Sequence, residues 1–450
     1  MLRELAFADL FAIIHATLGI QLMPTINVRT PPSLEKRPFR RFFSNLGPGL
    51  ITGAADDDPS GISTYSVAGA TFGYLPLWTA LFSFPLMTAV QLMCARLGLV
   101  TGLGLAGVIR RRYSRWVLWG ACALLVVANV INIAADLGGM AEATMMVTGA
   151  PVALMVPVFG VLIVLLLMWS SYRSIARVFK WLTLVLLAYV LTAFVAGVDW
   201  RLALQVTFIP RMQWSRAFFS VLVAILGTTI SPYLFFWQAA QEVEEERALG
   251  RNLARRRGAT PKELKACLTD VVTGMFASNA IMYFIIMTTA ATLHAHGKTD
   301  ISTAQEAAEA LRPLAGAGAY WLFTLGLIGT GLLAVPVLAG SCAYAITEAA
   351  AWRGSLNQRP GRAKKFYIVL AVAMALGTVL NYAGLNAIKL LFTTAVINGV
   401  LAPPLILIVL LLTGDRTVMG DAINSRPVAF FGWLTFVIMV VAALGLFFAS

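Results

Sequence analysis

The chain has 450 residues, of which 59% are hydrophobic and only 12% are Asp, Glu, Lys or Arg, with a mean hydropathy of +0.80. A soluble domain carries about 25% charged residues, so the composition excludes a soluble protein and points to an integral membrane one. The net charge of +13 on so apolar a chain reads as membrane orientation and contact with anionic lipid, not as nucleic-acid binding.

Residues 1–44 come first. LAFADLFAIIHATLGIQLM is apolar but contains Asp9 and His15, and Pro31-Pro32 follow. The pattern suits an interfacial helix or a weak extra span, and it lacks the form of a cleaved signal. Eleven apolar runs follow, at 45–70, 74–100, 116–140, 150–169, 181–198, 217–240, 269–293, 319–347, 366–384, 387–412 and 428–449. Each is long enough to cross the hydrocarbon, and it can do so only as a helix, because its backbone groups must pair internally. The expected fold class is all-α integral membrane with about eleven transmembrane helices. The polar insert 241–268, QEVEEERALGRNLARRRGATPKELKA from Gln241 on, reads as a solvated loop or surface helix. The cysteines Cys94, Cys122, Cys267 and Cys342 have no metal-ligand spacing and read as packing residues. Gly69-x-x-x-Gly73 and Gly98-x-x-x-Gly102 suit close helix packing.

If residue 45 lies on the cytoplasmic side, 27 Lys and Arg residues fall inside and 6 outside, with Arg96 within a span. That bias sets the N-terminus in and the C-terminus out.

Two spans are interrupted. The first contains GAADDDPSG, Gly53 to Gly61; the second contains GTTISPYLFFWQ, Gly227 to Gln238. They lie five spans apart, so they run in opposite directions, as an inverted repeat of five helices requires. Paired broken segments at matching positions of two halves point to a transporter binding site. Pro59 and Pro232 each remove a backbone donor and disfavour helix at the preceding residue, which frees carbonyls to face a cavity. The expected units are a tail at 1–44, repeats at 45–198 and 217–412, and an eleventh helix at 428–449.

Three carboxylates inside an apolar run are costly, at least about 2.5–3.5 kcal/mol each. No Lys or Arg in that span can pair with them, and a divalent cation is the simplest partner. Successive helical residues differ in direction by about 100°, so Asp56, Asp57 and Asp58 cannot all point one way. Asp58, beside Pro59, is the expected direct ligand; Asp57 assists, and Asp56 lines the path. Alternatively, the triplet marks a loop at the membrane edge. The second break offers the hydroxyls of Thr228, Thr229, Ser231 and Tyr233, with no Met, Cys or His. Oxygen-only surroundings suit hard ions such as Mg²⁺, Ca²⁺ or Mn²⁺, and sparse ligands suit Mg²⁺, which keeps its waters. Packing and helix back-bonding compete as an explanation for each hydroxyl.

LGPGLITGAADDDPSGISTYS resembles the first helix of the Nramp divalent-metal transporters, marked by Asp-Pro-Gly-Asn. GTTISPYLFFWQ resembles their sixth, marked by Met-Pro-His. The likeness covers nearly the whole chain after about residue 42 and implies a LeuT-type 5+5 inverted repeat, with helices 1 and 6 broken and alternating access. Asp58 and Pro59 keep the family's residues, whereas Ser60 and Gly61 stand for Gly and Asn. Ser231 stands for the methionine ligand and Tyr233 for the histidine, and Thr228 takes the position whose carbonyl contributes. Loss of the thioether resembles the Nramp-related magnesium transporters, as does GLIGTGLLAVPVLAGSCAY in span 8. Asp136 resembles an aspartate on the family's proton route, but Gly139 replaces the acidic residue three positions on, so proton coupling is not expected. Asn398 in span 10 is a further candidate lining residue.

An intramembrane protease would show Gly-x-Gly-Asp or His-Glu-x-x-His; neither string is present, so no enzyme is expected. A metal sensor would add a large soluble domain, and a Mn²⁺ symporter is the nearest alternative. The expectation is a monomeric inner-membrane importer of Mg²⁺ with no cofactor, the ion itself being cargo.

Overall fold

The computed structural model describes residues 47–169, 184–248, 250 and 258–448. The expected tail helix at 1–44, the basic loop at 170–180 and part of the insert, 249 and 251–257, lie outside the described residues. Every regular element described is helical. The main helices are α1 (Pro48–Asp56), α2 (Pro59–Phe72), α3 (Trp78–Thr101), α4 (Arg115–Thr148), α5 (Val152–Trp169), α6 (Leu187–Val195), α7 (Arg216–Thr229), α8 (Pro232–Ala248), α9 (Pro261–Thr292), α10 (Ala319–Ala349), α11 (Lys364–Leu380), α12 (Ala387–Gly414) and α13 (Arg426–Phe448).

Among the described residues, nine helical stretches are long and apolar enough to cross a membrane, or ten if the bent pair Leu184–Val195 and Trp200–Phe208 counts as one span. The first expected span falls outside that tally because it is two short helices, α1 of 9 residues and α2 of 14. The break is local chemistry. Asp57 and Asp58 leave helical geometry (φ −83°, ψ 52° and φ −69°, ψ 171°), and Pro59 opens α2, where a missing donor costs nothing. Likewise Ile230 leaves the helix after α7, and Pro232 opens α8.

Burial decides which helices are central. In the most apolar stretch of α7–α8, 94% of residues are buried, against 22% in α13. The broken pair therefore lies in the core and α13 at the periphery. α1 packs on α9, α7 on α12, α3 on α8, and α4 on α10.

One expectation is corrected here. The insert at 241–268 is not a single solvated segment, because α8 continues through Ala248 and buries Glu242, Glu244 and Glu246 at 4%, 3% and 2% exposure. Glu244 pairs with Arg247 and accepts from Ser355 Oγ at 2.6 Å. The start of α9 is fixed separately by a Thr260–Glu263 capping box.

The free start of α1 is held by α9. Asp270 accepts from the backbone N–H of Gly47 (2.8 Å), Gly49 (2.6 Å) and Leu50 (3.2 Å), satisfying orphan donors with a charge that the helix N-terminus favours. Below this contact the two helices touch backbone to backbone. A Cβ at Gly49 would lie 2.7 Å from Val271 N, and one at Gly53 would overlap the Gly274 carbonyl. Gly49-x-x-x-Gly53 is thus the small-residue seam of this crossing. Gly53→Ala should destabilise the fold by about 1–3 kcal/mol through overpacking, because backbone cannot yield as a flexible side chain can. A melting comparison in detergent checks it; an unchanged midpoint would refute the seam.

Candidate metal site

Asp56, Asp57 and Asp58 are all buried, at 0%, 4% and 1% exposure, but they separate into two groups. Asp58 caps α2. Its Oδ1 accepts from Gly61 N at 2.7 Å and Ser60 Oγ at 2.6 Å, and its Oδ2 faces the Tyr233 hydroxyl at 3.4 Å. A carboxylate at a helix N-terminus is stabilised by that helix's unpaired N–H groups. Asp56 and Asp57 turn instead to α9, where the Ser278 hydroxyl lies 2.7 Å from Asp56 Oδ2 and 3.2 Å from Asp57 Oδ1. One hydroxyl carries one proton, so it serves one of these carboxylates at a time. Among the described residues, no three His, Cys, Asp or Glu side chains converge with metal-holding geometry. The triplet is therefore not a three-carboxylate cage.

The second break meets the first directly. Tyr233 OH donates to Ala55 O at 3.0 Å, tying α8 to the end of α1. Ser231 Oγ reaches back to Gly227 O (2.9 Å) and Thr228 O (2.7 Å), a mode of back-bonding that competes with ligand binding. Gly61 makes the junction possible. A Cβ there would be 3.2 Å from Thr228 Oγ1 and 3.4 Å from Asp56 O. Gly227 contacts the backbone of Ala395 and Gly399 closely enough to exclude a Cβ, which brings the Asn398 turn of α12 beside Thr228.

Several buried polar atoms in this region make no hydrogen bond of normal geometry among the described residues: Asp56 Oδ1, Thr228 Oγ1, Tyr65 OH, Asn398 Nδ2 and both oxygens of Asp136; the Tyr65 and Thr228 hydroxyls neighbour each other, and the Ser60 N–H neighbours Asp136. Asp136 on α4 lies within electrostatic reach of Asp58. Towards the end of the bundle that carries the basic loops, Thr52 donates to Gln238 (2.5 Å) and Gln238 to Glu242 (2.9 Å). Glu242 in turn lines a cavity of about 150 Å³ with Glu245, Glu246, Glu263 and Asp270.

Of the sequence-derived candidates, Asp58, Gly61, Thr228 and Tyr233 are brought together, with Ser231 behind Thr228 and Asn398 and Asp136 at the margins. Asp56 and Asp57 lie on the Ser278 side. Two residues were missed. Tyr65 is seven residues after Asp58 on α2, two helical turns along the same face, so periodicity could have found it. Ser278 carries no signal of its own, because it is one small polar residue on a long apolar helix.

Two helices broken at their middles, joined through their breaks and packed in the core of a helical bundle, define a membrane-transporter fold of the LeuT type. The sequence model of the Nramp family, natural resistance-associated macrophage protein-like, matches residues 49–449. The chain belongs to the Nramp family of divalent-metal transporters and is a multi-pass membrane transporter, not an enzyme. It is 28% identical over 419 residues to the divalent metal cation transporter MntH of Yersinia pestis (strain Pestoides F), covering 90% of this chain and 95% of that one. Its fold is similar to the manganese transporter of Eremococcus coleocola, with a TM-score of 0.71, 21% identity, and coverage of 92% and 88%. It is also similar to Mhp1, a nucleobase-cation-symport-1 family transporter, with a TM-score of 0.56, 15% identity, and coverage of 89% and 90%.

Proposed function

We propose that the chain imports Mg²⁺ as a partly hydrated ion, without proton coupling. The observation that carries this reading is the make-up of the junction: one carboxylate, Asp58, among neutral oxygens, with Ser231 where a thioether would favour a softer ion. A site with one charged ligand suits an ion that keeps most of its waters. Asp58 binds the ion directly or through water, Thr228 and Ser231 contribute oxygens, and Asp57 helps to line the approach with Asp56. The atoms of Tyr65, Asn398 and Thr228 that make no hydrogen bond of normal geometry suit the ion's water shell, since leaving them unsatisfied costs about 1–3 kcal/mol each. The acidic cavity around Glu242 suits the exit path of a cation. The two repeats span 45–198 and 217–412, the helix 428–449 is accessory, the transporter is a monomer in the inner membrane, and its N-terminus is cytoplasmic. At 100 mV, inside negative, a doubly charged ion gains about 4.6 kcal/mol on inward transfer, twice the single-charge value, so no proton need drive it.

A specific observation favours the second reading, a proton-coupled Mn²⁺ carrier. Asp136 is a buried carboxylate with neither oxygen in a hydrogen bond of normal geometry, in reach of Asp58, and the similar Eremococcus coleocola protein is a manganese transporter. Uptake into proteoliposomes separates the two. Mg²⁺ accumulation with no internal acidification is expected. Mn²⁺ accumulation with acidification, and none of Mg²⁺, would overturn the proposal in favour of the second reading.

A further inference from the structure

Away from the breaks, α3, α9 and α13 enclose an apolar groove of about 620 Å³. It opens sideways, because Leu81 and Phe276 on its walls are 44% and 37% exposed. Along α9 the lining runs from Leu268 to Phe284, about 24 Å at 1.5 Å per residue. The groove is thus longer than one leaflet's hydrocarbon, about 15 Å deep, and continues past the midplane.

One mouth of the groove is basic, and helix geometry accounts for it. On α9, Lys265, Leu268, Val272 and Phe276 follow at i, i+3, i+7 and i+11, forming one stripe. Glu263, Cys267 and Asp270 lie on the opposite face and line the acidic cavity. On α3, Arg96 is one turn beyond the lining residue Leu92 and continues its stripe. Arg96 is half-buried, and Nη2 donates to Ala422 O (2.8 Å) and Ile423 O (3.1 Å) in the segment leading into α13. Arg426, exposed, begins α13. Lys265, Arg96 and Arg426 have no carboxylate partner among the described residues. Each of the three walls therefore supplies, at the same end of one apolar slot, a cation with no carboxylate partner among the described residues.

We propose that this groove is a binding site for an anionic phospholipid, with an acyl chain lying along α9 and the phosphate held at the mouth by Lys265 and Arg96. A zwitterionic lipid supplies the same chain but offers the cations no net charge, and each Lys or Arg near the surface favours an anionic headgroup by about a factor of five. The slot also borders the ion path. Asn279 lines it and is adjacent in sequence to Ser278, whose one hydroxyl Asp56 and Asp57 share. An acyl chain there props α3 against α9.

Native mass spectrometry of the full chain in detergent, mixed with phosphatidylglycerol or with phosphatidylcholine of the same acyl chains, tests the proposal. One retained phosphatidylglycerol is expected, bound about 25-fold more tightly than phosphatidylcholine, a factor of about five for each of the two cations. Lys265→Gln should reduce that preference while leaving acyl binding. Ala280→Trp, which fills the slot, should remove both lipids without touching the cations. Equal retention of the two lipids would overturn the proposal, as would retention that neither variant changes. Failure to retain any lipid would also overturn it, and would leave the slot to another occupant such as the chain's own segment 1–44.

Discussion

Replacing Asp58 with alanine should abolish divalent-ion uptake while leaving the protein folded. Asp58 is the one carboxylate at the junction of the two breaks, where its Oδ1 accepts from Gly61 N and Ser60 Oγ and its Oδ2 lies 3.4 Å from the Tyr233 hydroxyl. Removing one partner of a buried charge pair costs about 3–5 kcal/mol, which corresponds to a fall in ion affinity of about 10²–10⁴-fold. Some instability is expected too, since losing an N-cap costs about 0.5–2 kcal/mol. Asp58→Asn separates the two effects, because its side-chain oxygen can still cap α2 but carries no charge. Uptake by the asparagine variant should remain near the alanine level, while its melting midpoint returns towards the parent. If Asp58→Asn transported at the parent rate, the ion would have to be held elsewhere. Asp56 and Asp57, paired through Ser278, would then be the next residues to change.

Replacing Ser231 with methionine should shift selectivity from Mg²⁺ towards Mn²⁺. The Ser231 hydroxyl sits within 3 Å of the Gly227 and Thr228 carbonyls, so its loss frees two acceptors as a soft ligand arrives. A thioether favours transition metals over Mg²⁺, and one good ligand worth about 1.4 kcal/mol changes the Mn²⁺-to-Mg²⁺ uptake ratio about tenfold. The position is 1% exposed, and the larger side chain also costs about 1–3 kcal/mol in overpacking. Ser231→Leu controls for that cost, since it adds bulk without sulfur. Competition of Mn²⁺ against Mg²⁺ in proteoliposomes checks the shift. A rise in the ratio for both variants would assign the effect to shape, whereas a rise for methionine alone would assign it to the sulfur.

Membrane class, spans, breaks and family were all legible from residues near one another in sequence. Hydropathy marks a span because lipid leaves the backbone no partner but itself. A break is legible because Pro59 and Pro232 act on the residue immediately before them. Asp58 stood out for the same reason, as a charge beside a helix-opening proline. The fate of the insert was not legible. Glu242, Glu244 and Glu246 look solvated from their charge, but α8 carries them into contacts with α3, α10 and the loop of Ser355. Nor could sequence divide the triplet. Three successive carboxylates point in three directions, and which one faces the gap depends on where α1 ends and on the dihedral angles of Asp57 and Asp58. Ser278, 222 residues from Asp56, and Gly274 beneath Gly53 are brought into place only by the α1–α9 crossing. Composition, hydropathy and local backbone chemistry determined that this is a broken-helix membrane transporter. Only tertiary packing decided which buried oxygens share its junction, because those pairings form between helices hundreds of residues apart and leave no local trace.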